Sequence, residues 1–352
     1  MIKELIVKPD MSVREAVNYV DIEQDKIICI VDSEQKLLGI FTAGDLRRYA
    51  LTSGDMSEKI GNVMNTKPIV FFDKAEAEKH INNGELVGAP IVDQKGRLID
   101  ISLTPTNSNM IVNHSLKDVP LVMMAGGKGT RLYPYTKVLP KALFPIGNLT
   151  ISERIINNFM KYGCENVHFI LNYKAGMIRA YYQELRKNYK TDFVEEEMFL
   201  GTGGGLKLLE NQLNSTFIVT NCDILVNADF ECALKTHKEN KNIMTFVCAM
   251  KDLEIPYGVI DTNKNGEVQN IVEKPSVSFL TNTGVYILEP EIFSFIKENE
   301  FIHLPDIARR CMENGFKVGV FPVSNKAWLD MGQFNEMEKM LKELEVREVD
   351  HA

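Results

Sequence analysis

The fold turns on one stretch, Leu121-Val122-Met123-Met124-Ala125-Gly126-Gly127-Lys128-Gly129-Thr130-Arg131-Leu132. An apolar run over 121–124 reads as a strand, and glycines leaving a parallel strand let backbone amides approach an anion closely and surround it. Two phosphate-binding patterns fail on spacing. A Walker A loop requires Gly-x-x-x-x-Gly-Lys-Ser/Thr, whereas here Lys128 precedes Gly129. A dinucleotide loop counted from Gly127 meets Leu132 where its third glycine belongs. By itself the glycine run reads equally as a tight turn without a ligand.

Working outward, from Pro120 strands alternate with helices: strand over 121–124, helix over 153–162, strand over 167–171, helix over 174–188, strand over 216–220. That alternation calls for an α/β fold with a mostly parallel sheet covered on both faces. Beyond Ile243 the spacing becomes strand-rich, with Gly258, Gly266 and Gly284 marking turns, and a polar helix is expected over 334–344. Residues 346–352 read as a frayed tail. Upstream, Ile30-Val31-Asp32, Leu37-Leu38 and Ile40 recur 61 positions later as Ile91-Val92-Asp93, Leu98-Ile99 and Ile101, the mark of two related modules. The first reads as strand 5–7, helix 13–20, strands 27–31 and 37–41, then a helix from Gly44; Ser12 and Glu15 have capping-box spacing. The second reads as strand 69–72, helix 75–81 and a hairpin over 90–103. Small polar residues over 104–109 read as the linker. The expected domains are 1–115 and 119–345, followed by the tail.

Composition narrows the function. A chain of 352 residues with 45% apolar and 25% charged residues is an ordinary globular protein of about two domains. A net charge of -8 argues against nucleic acid or an anionic membrane as partner. Six cysteines without a Cys-x-x-Cys pair and only six histidines disfavour a zinc cage or disulfide framework, so a cytoplasmic location is expected. No export signal or membrane span is read in the sequence.

The loop continues through Pro134, Thr136, Pro140-Lys141-Ala142-Leu143 and Pro145-Ile146-Gly147. Here the chain resembles the sugar-1-phosphate nucleotidyltransferase family, whose leading segment reads Gly-Gly-x-Gly-Thr-Arg-Leu-x-Pro-x-Thr-x-x-x-Pro-Lys-x-Leu-x-Pro. The resemblance continues through Leu200-Gly201-Thr202, Asn221-Cys222-Asp223, Tyr257-Gly258-Val259, Glu273-Lys274-Pro275, Asn282-Thr283-Gly284 and Trp328-Leu329-Asp330-Met331-Gly332. It implies a Rossmann-like mixed sheet and a reaction in which a sugar phosphate oxygen attacks the α-phosphorus of a nucleoside triphosphate and pyrophosphate leaves. The demand on the protein is then charge neutralisation and alignment.

By this resemblance Arg131 holds the departing phosphates and Lys141 bridges the α-phosphate and the sugar phosphate. Ala125, Gly126, Gly127, Gly129 and Thr130 form the nucleotide loop, and Gly201, Thr202 and Gly203 surround base and ribose. Gly258, Glu273, Lys274 and Asn282 contact the sugar and its phosphate. Asp223, catalytic, and Asp330 hold Mg2+, a hard cation that takes one or two carboxylates and keeps several waters. Two positions depart from the family pattern: Asn148-Leu149-Thr150 follows Gly147 where Lys/Arg-Pro is common, and Cys222 replaces a glycine.

Gly39-Ile40-Phe41-Thr42-Ala43-Gly44-Asp45-Leu46 resembles the end of a cystathionine-β-synthase-type (CBS) module, a family that occurs in pairs and binds adenine nucleotides. The resemblance implies that Thr42 and Asp45 contact such a nucleotide; Asp45 is equally placed to favour a helix N-terminus. The repeat puts Leu103 opposite Thr42 and Thr106 opposite Asp45, so the second module has lost these groups. A CBS pair joined to this catalytic domain resembles the glucosamine-1-phosphate guanylyltransferases of the legionaminic acid route. That implies GTP and glucosamine 1-phosphate as substrates and a homodimer as assembly. Mannose-1-phosphate or heptose-1-phosphate transferases, and a nucleotide sensor without turnover, stay open.

Overall fold

In the computed structural model the described residues are 5–19, 27–52, 55–82, 86, 88–103 and 113–331. The linker over 104–109, Thr106, Gly332, the helix over 334–344 and the tail lie outside them.

The N-terminal part holds two modules. In the first, β1 (Ile6–Val7) runs parallel to β2 (Ile27–Val31), which pairs antiparallel with β3 (Leu37–Thr42). Helices Val13–Tyr19 and Ala43–Thr52 contribute Val13, Ala16, Val17 and Leu46 to a core with Ile28, Ile30, Phe41 and Ile60. The capping box is formed: Ser12 N donates to Glu15 Oε2 at 2.9 Å and Glu15 N to Ser12 Oγ at 3.2 Å.

The second module pairs β4 (Gly88–Val92) with β5 (Leu98–Leu103) beside helix Lys74–Asn82. Its strand over 69–72 shrinks to one parallel bridge, Phe71 with Ile91, because Ile69 and Phe72 face solvent and leave only Phe71 to bury. The repeat is plainest at the turns. Asp32 Oδ1 accepts from Glu34 N and Lys36 N, and Asp93 Oδ1 accepts from Lys95 N and Arg97 N. The two turns also pair with each other, Leu37 N donating to Gly96 O and Leu98 N to Gln35 O.

Downstream lies a seven-stranded sheet built from β6 (Leu121–Ala125), β9 (Asn166–Leu171), β10 (Lys190–Glu195), β11 (Phe217–Asn221), β13 (Met244–Glu254), β16 (Ser276–Leu288) and β17 (Val318–Val323), in the order β10-β9-β6-β11-β16-β13-β17. Here β7 (Pro145–Ile146), β8 (Leu149–Thr150), β12 (Ile224–Val226), β14 (Val259–Thr262), β15 (Val268–Val272) and β18 (Trp328–Asp330) form small separate ladders. Strands β10, β9, β6 and β11 are parallel and β16 is antiparallel to β11, which is the mostly parallel mixed sheet expected. β6 sits between β9 and β11 with every residue buried, which explains its unbroken apolar run.

A further expectation changes. The helix over 174–188 ends at Glu184, and the chain then forms edge strand β10. That strand is half exposed and holds three charged residues among six, a pattern easily read as helix end and loop.

Contacts group the chain into two units that do not follow chain order. One comprises Met1–Asn107, Ala249–Thr281 and Pro322–Ala327, the other Ser108–Cys248, Asn282–Phe321 and Trp328–Ala352. The arm over 249–281, read in sequence as part of the catalytic domain, thus contacts the N-terminal modules most. Met250 of this arm is a buried member of the first module's core.

Candidate active site

The glycine loop leaves the carboxyl end of β6, at the edge where open α/β sheets bind ligands. Its three glycines answer to different constraints. A Cβ on Gly126 would stand 2.9 Å from Glu196 Oε2 and 3.1 Å from Asn172 Cβ, so the protein itself forbids one. Gly129 has φ +62°, and a Cβ there would meet Thr136 Cγ2 at 2.9 Å. Among the described residues nothing lies within 4 Å of where a Cβ on Gly127 would stand, so no described neighbour requires glycine there. Among the described residues the amides of Gly127, Lys128 and Gly129 have no hydrogen-bond acceptor, which leaves a row of donors suited to phosphate oxygens.

Two braces hold this loop. Thr136 Oγ1 donates to Gly129 O at 2.9 Å, while Tyr173 donates its amide to Gly126 O at 3.2 Å and its hydroxyl to Thr136 O at 3.0 Å. Tyr173 was not singled out in the sequence, where a tyrosine after a strand carries no signal.

Lys141 opens a short helical turn, Lys141–Leu143, and its Cβ stands 3.6 Å from where a Cβ on Gly129 would be. Its ammonium forms an ion pair with Asp223 Oδ2, each side chain being about nine-tenths covered (10% and 13% exposed). Asp223 follows β11 and precedes β12, whose antiparallel partner β18 places Ile224 opposite Asp330. Met331 N donates to Asp223 O at 2.9 Å, so the turn that carries Asp223 lies beside the end of the strand that carries Asp330. Arg131, on the turn Thr130–Leu132, is exposed.

Carboxylates are the donor type that the cation implied by the resemblance takes. Among the described residues no cluster of three or more metal-ligating side chains exists, so no all-protein cage is present. Two carboxylate oxygen donors suit Mg2+ shared with substrate phosphates. Burial pushes the Cys222 thiol up to about 12, which keeps it protonated at neutral pH.

The other predicted residues fall into separate groups. Gly201, Thr202 and Gly203 pack on residues 302–307: a Cβ on Gly201 would meet Ile302 O at 2.5 Å, one on Gly203 would meet Ile307 Cδ1 at 2.6 Å, and Thr202 N donates to His303 Nδ1 at 3.2 Å. Asn282 donates to the Tyr286 hydroxyl at 2.7 Å and accepts from Gly284 N at 3.0 Å. In the first unit, Gly258 and Glu273 face each other one step beyond the Val259–Val272 pair, a Cβ on Gly258 standing 2.9 Å from Glu273 Oε2. Lys274 follows at φ +46° and donates its amide to Tyr257 O. Thr42 and Asp45 bond each other. Thr42 Oγ1 and N both donate to Asp45 Oδ2, at 2.7 and 2.9 Å, and Asp45 N donates to Thr42 Oγ1 at 3.2 Å, a reciprocal start for the helix Ala43–Thr52.

A nucleotidyl transferase family profile matches residues 121–346, well over half of the chain. The chain belongs to the nucleotidyl transferase family. A CBS domain profile matches residues 1–52. This nucleotidyl transferase is 26% identical over 248 residues to a UTP–glucose-1-phosphate uridylyltransferase of Synechocystis sp., covering 65% of this chain and 64% of that protein. It is 30% identical over 226 residues to a mannose-1-phosphate guanyltransferase of Emericella nidulans, covering 60% of each. The chain thus spans less than two thirds of the length of these relatives. A UDP-glucose pyrophosphorylase solved with UDP-glucose shares the fold at TM-score 0.50 and 19% identity, over 65% of this chain and 99% of that one. No helix among the described residues is long and apolar enough to cross a membrane.

One buried group beside the loop escaped the sequence reading. Glu196 sits in the run Glu195-Glu196-Glu197, which looks like a solvated face, yet it is 3% exposed and its Oε1 has no partner among the described residues. Burial lifts its carboxyl to about 7 from a usual 4.5. The folded protein therefore keeps this proton at pH values where the unfolded chain has released it. The resulting stabilisation is full below about 4.5 and lost as pH rises through about 7. Replacing Glu196→Gln removes that loss. The variant's melting temperature relative to the parent is expected to rise between pH 5 and pH 8, by the equivalent of roughly 2–3 kcal/mol. Parallel pH-dependent lines in thermal melts would contradict this.

Proposed function

We propose that this protein transfers a guanylyl group from GTP to glucosamine 1-phosphate, giving GDP-glucosamine and pyrophosphate, as a step of legionaminic acid synthesis in the cytoplasm. The observation that carries the reaction class is the Lys141–Asp223 ion pair standing beside unengaged loop amides at the carboxyl edge of a parallel sheet. The guanyl donor and this sugar are supported by the union of CBS modules with the transferase domain, and the donor also by the likeness to a mannose-1-phosphate guanyltransferase. Mannose 1-phosphate and a heptose 1-phosphate are the competing acceptors.

In this reading an oxygen of the sugar phosphate bonds to the α-phosphorus while the bond from that phosphorus to the α–β bridging oxygen breaks, and pyrophosphate leaves with the electron pair. Amides of Gly127, Lys128 and Gly129, with Arg131, hold the leaving phosphates. Lys141 neutralises charge on the α-phosphate and the incoming phosphate, its ammonium kept in place by Asp223. Glu273 and Asn282 accept and donate to sugar hydroxyls, and Lys274 meets the sugar's phosphate. Asp223 and Asp330 would hold Mg2+, which when bound supplies further charge neutralisation on the phosphates. Thr42 and Asp45 would contact an adenine nucleotide, and the CBS modules would serve regulation or a homodimer.

Pyrophosphate release is measured with each triphosphate, Mg2+ and a panel of sugar 1-phosphates; GTP with glucosamine 1-phosphate is expected to give the highest rate. Nucleotide binding without release would leave a sensor instead. Lys141→Ala is expected to reduce turnover on the order of a hundredfold, the scale of one preorganised charge stabiliser. A loss below about threefold would contradict the role given to Lys141. Calorimetry of the full chain with AMP, ADP and ATP is expected to show a binding event that Asp45→Asn removes; unchanged heats in that variant would leave the CBS modules a scaffolding role.

A further inference from the structure

Helix Val13–Tyr19 turns Val13, Ala16 and Val17 into the core of the first module, but Arg14 reaches elsewhere in the same unit. Its Nη2 donates to Asp252 Oδ1 at 3.2 Å and to Ser278 Oγ at 3.4 Å, and its Nε lies 3.1 Å from Asp252 Oδ2. Ser278 Oγ donates to Asp252 Oδ1 at 2.5 Å. Asp252 belongs to β13 and Ser278 to β16, adjacent strands of the sheet. One guanidinium thus touches both strands, its Nη2 reaching Asp252 and Ser278 while its Nε stands beside the same carboxylate. Two residues earlier on β13, and so on the same face, Met250 is buried in the module's core.

These strands are the root of the arm that carries Gly258, Glu273 and Lys274. Beyond the root the chain runs out through β14, returns through β15 and is tied near the base by Ile255 N donating to Pro275 O at 2.9 Å. Every residue of β15 is exposed, as is most of β14. The arm has almost no core of its own, so its direction is fixed where β13 and β16 emerge.

We propose that Arg14 is a positioning residue for the sugar-phosphate end of the reaction: by locking β13 to β16 against the first CBS module, it sets where Glu273 and Lys274 stand. The inference rests on the reading of those two residues as sugar-phosphate contacts. It gives the CBS module a part in acceptor binding that requires no nucleotide at Thr42 and Asp45. An ordinary part-exposed ion pair would add little to stability and would leave substrate constants alone.

The test uses the full chain with Arg14→Ala, Arg14→Lys and the exchanged pair Arg14→Asp with Asp252→Arg. Two quantities are read: KM for each substrate in pyrophosphate release, and amide hydrogen exchange over residues 255–275. Arg14→Ala is expected to raise KM for the sugar phosphate about tenfold, a modest misplacement effect, with KM for the triphosphate within about twofold. Exchange over 255–275 is expected to quicken, with partial recovery in Arg14→Lys and fuller recovery in the exchanged pair. If Arg14→Ala folds poorly, the other two variants carry the comparison. Equal changes in both KM values, or a sugar-phosphate KM within twofold of the parent, overturn the proposal, as does unaltered exchange. If the parent releases no pyrophosphate with any sugar phosphate, the functional reading fails and, with it, the role in acceptor binding; exchange then still decides whether Arg14 holds the arm.

Discussion

An ammonium and a carboxylate in contact, both largely withdrawn from water, hold the carboxyl edge of the sheet together. Lys141 and Asp223 are far apart in the chain, one on a turn after the glycine loop and the other at the end of a central strand. Burying such a pair is expensive, and removing one partner from a buried pair typically costs about 3–5 kcal/mol because the other is stranded. Asp223 is fixed from the far side by the β12–β18 ladder, and Lys141 from the near side by its packing against Gly129. Loop, lysine and Asp223 are therefore one mechanical piece.

Glycines around this piece serve two ends that the sequence writes in the same letter. Gly126, Gly129, Gly201 and Gly203 are small because protein atoms crowd them. Gly127 has open space instead, and among the described residues the amides of Gly127, Lys128 and Gly129 meet no acceptor. Thr136 and Tyr173 brace the loop, so little ordering is left for a ligand to impose.

What the sequence made legible was local. The apolar run of β6, the glycines after it, the capping box at Ser12 and Glu15, and the module repeat all depend on neighbours within a few residues or on a fixed offset. The same is true of Asp223 at a strand end. What stayed hidden depends on distant partners. Glu196 looks like any member of an acidic run until Gly126 and Gly205 are seen closing over it. Arg14 looks like a solvated helix charge until Asp252 arrives from the other end of the chain. Edge strand β10 was hidden for a different reason: half-exposed strands with charges carry little of the apolar signal that marks central ones.

Met250 gives the architecture a consequence for how the chain can be divided. A cut near residue 107 would appear to release the N-terminal modules cleanly, since the sequence there is small and polar. Yet the side chain that completes the first module's interior comes from β13, beyond the whole first half of the sheet. Excising residues 1–107 would leave a hole lined by that interior on one fragment and a bared methionine on the other. The modules are less an appendage than a part that was never closed without its host.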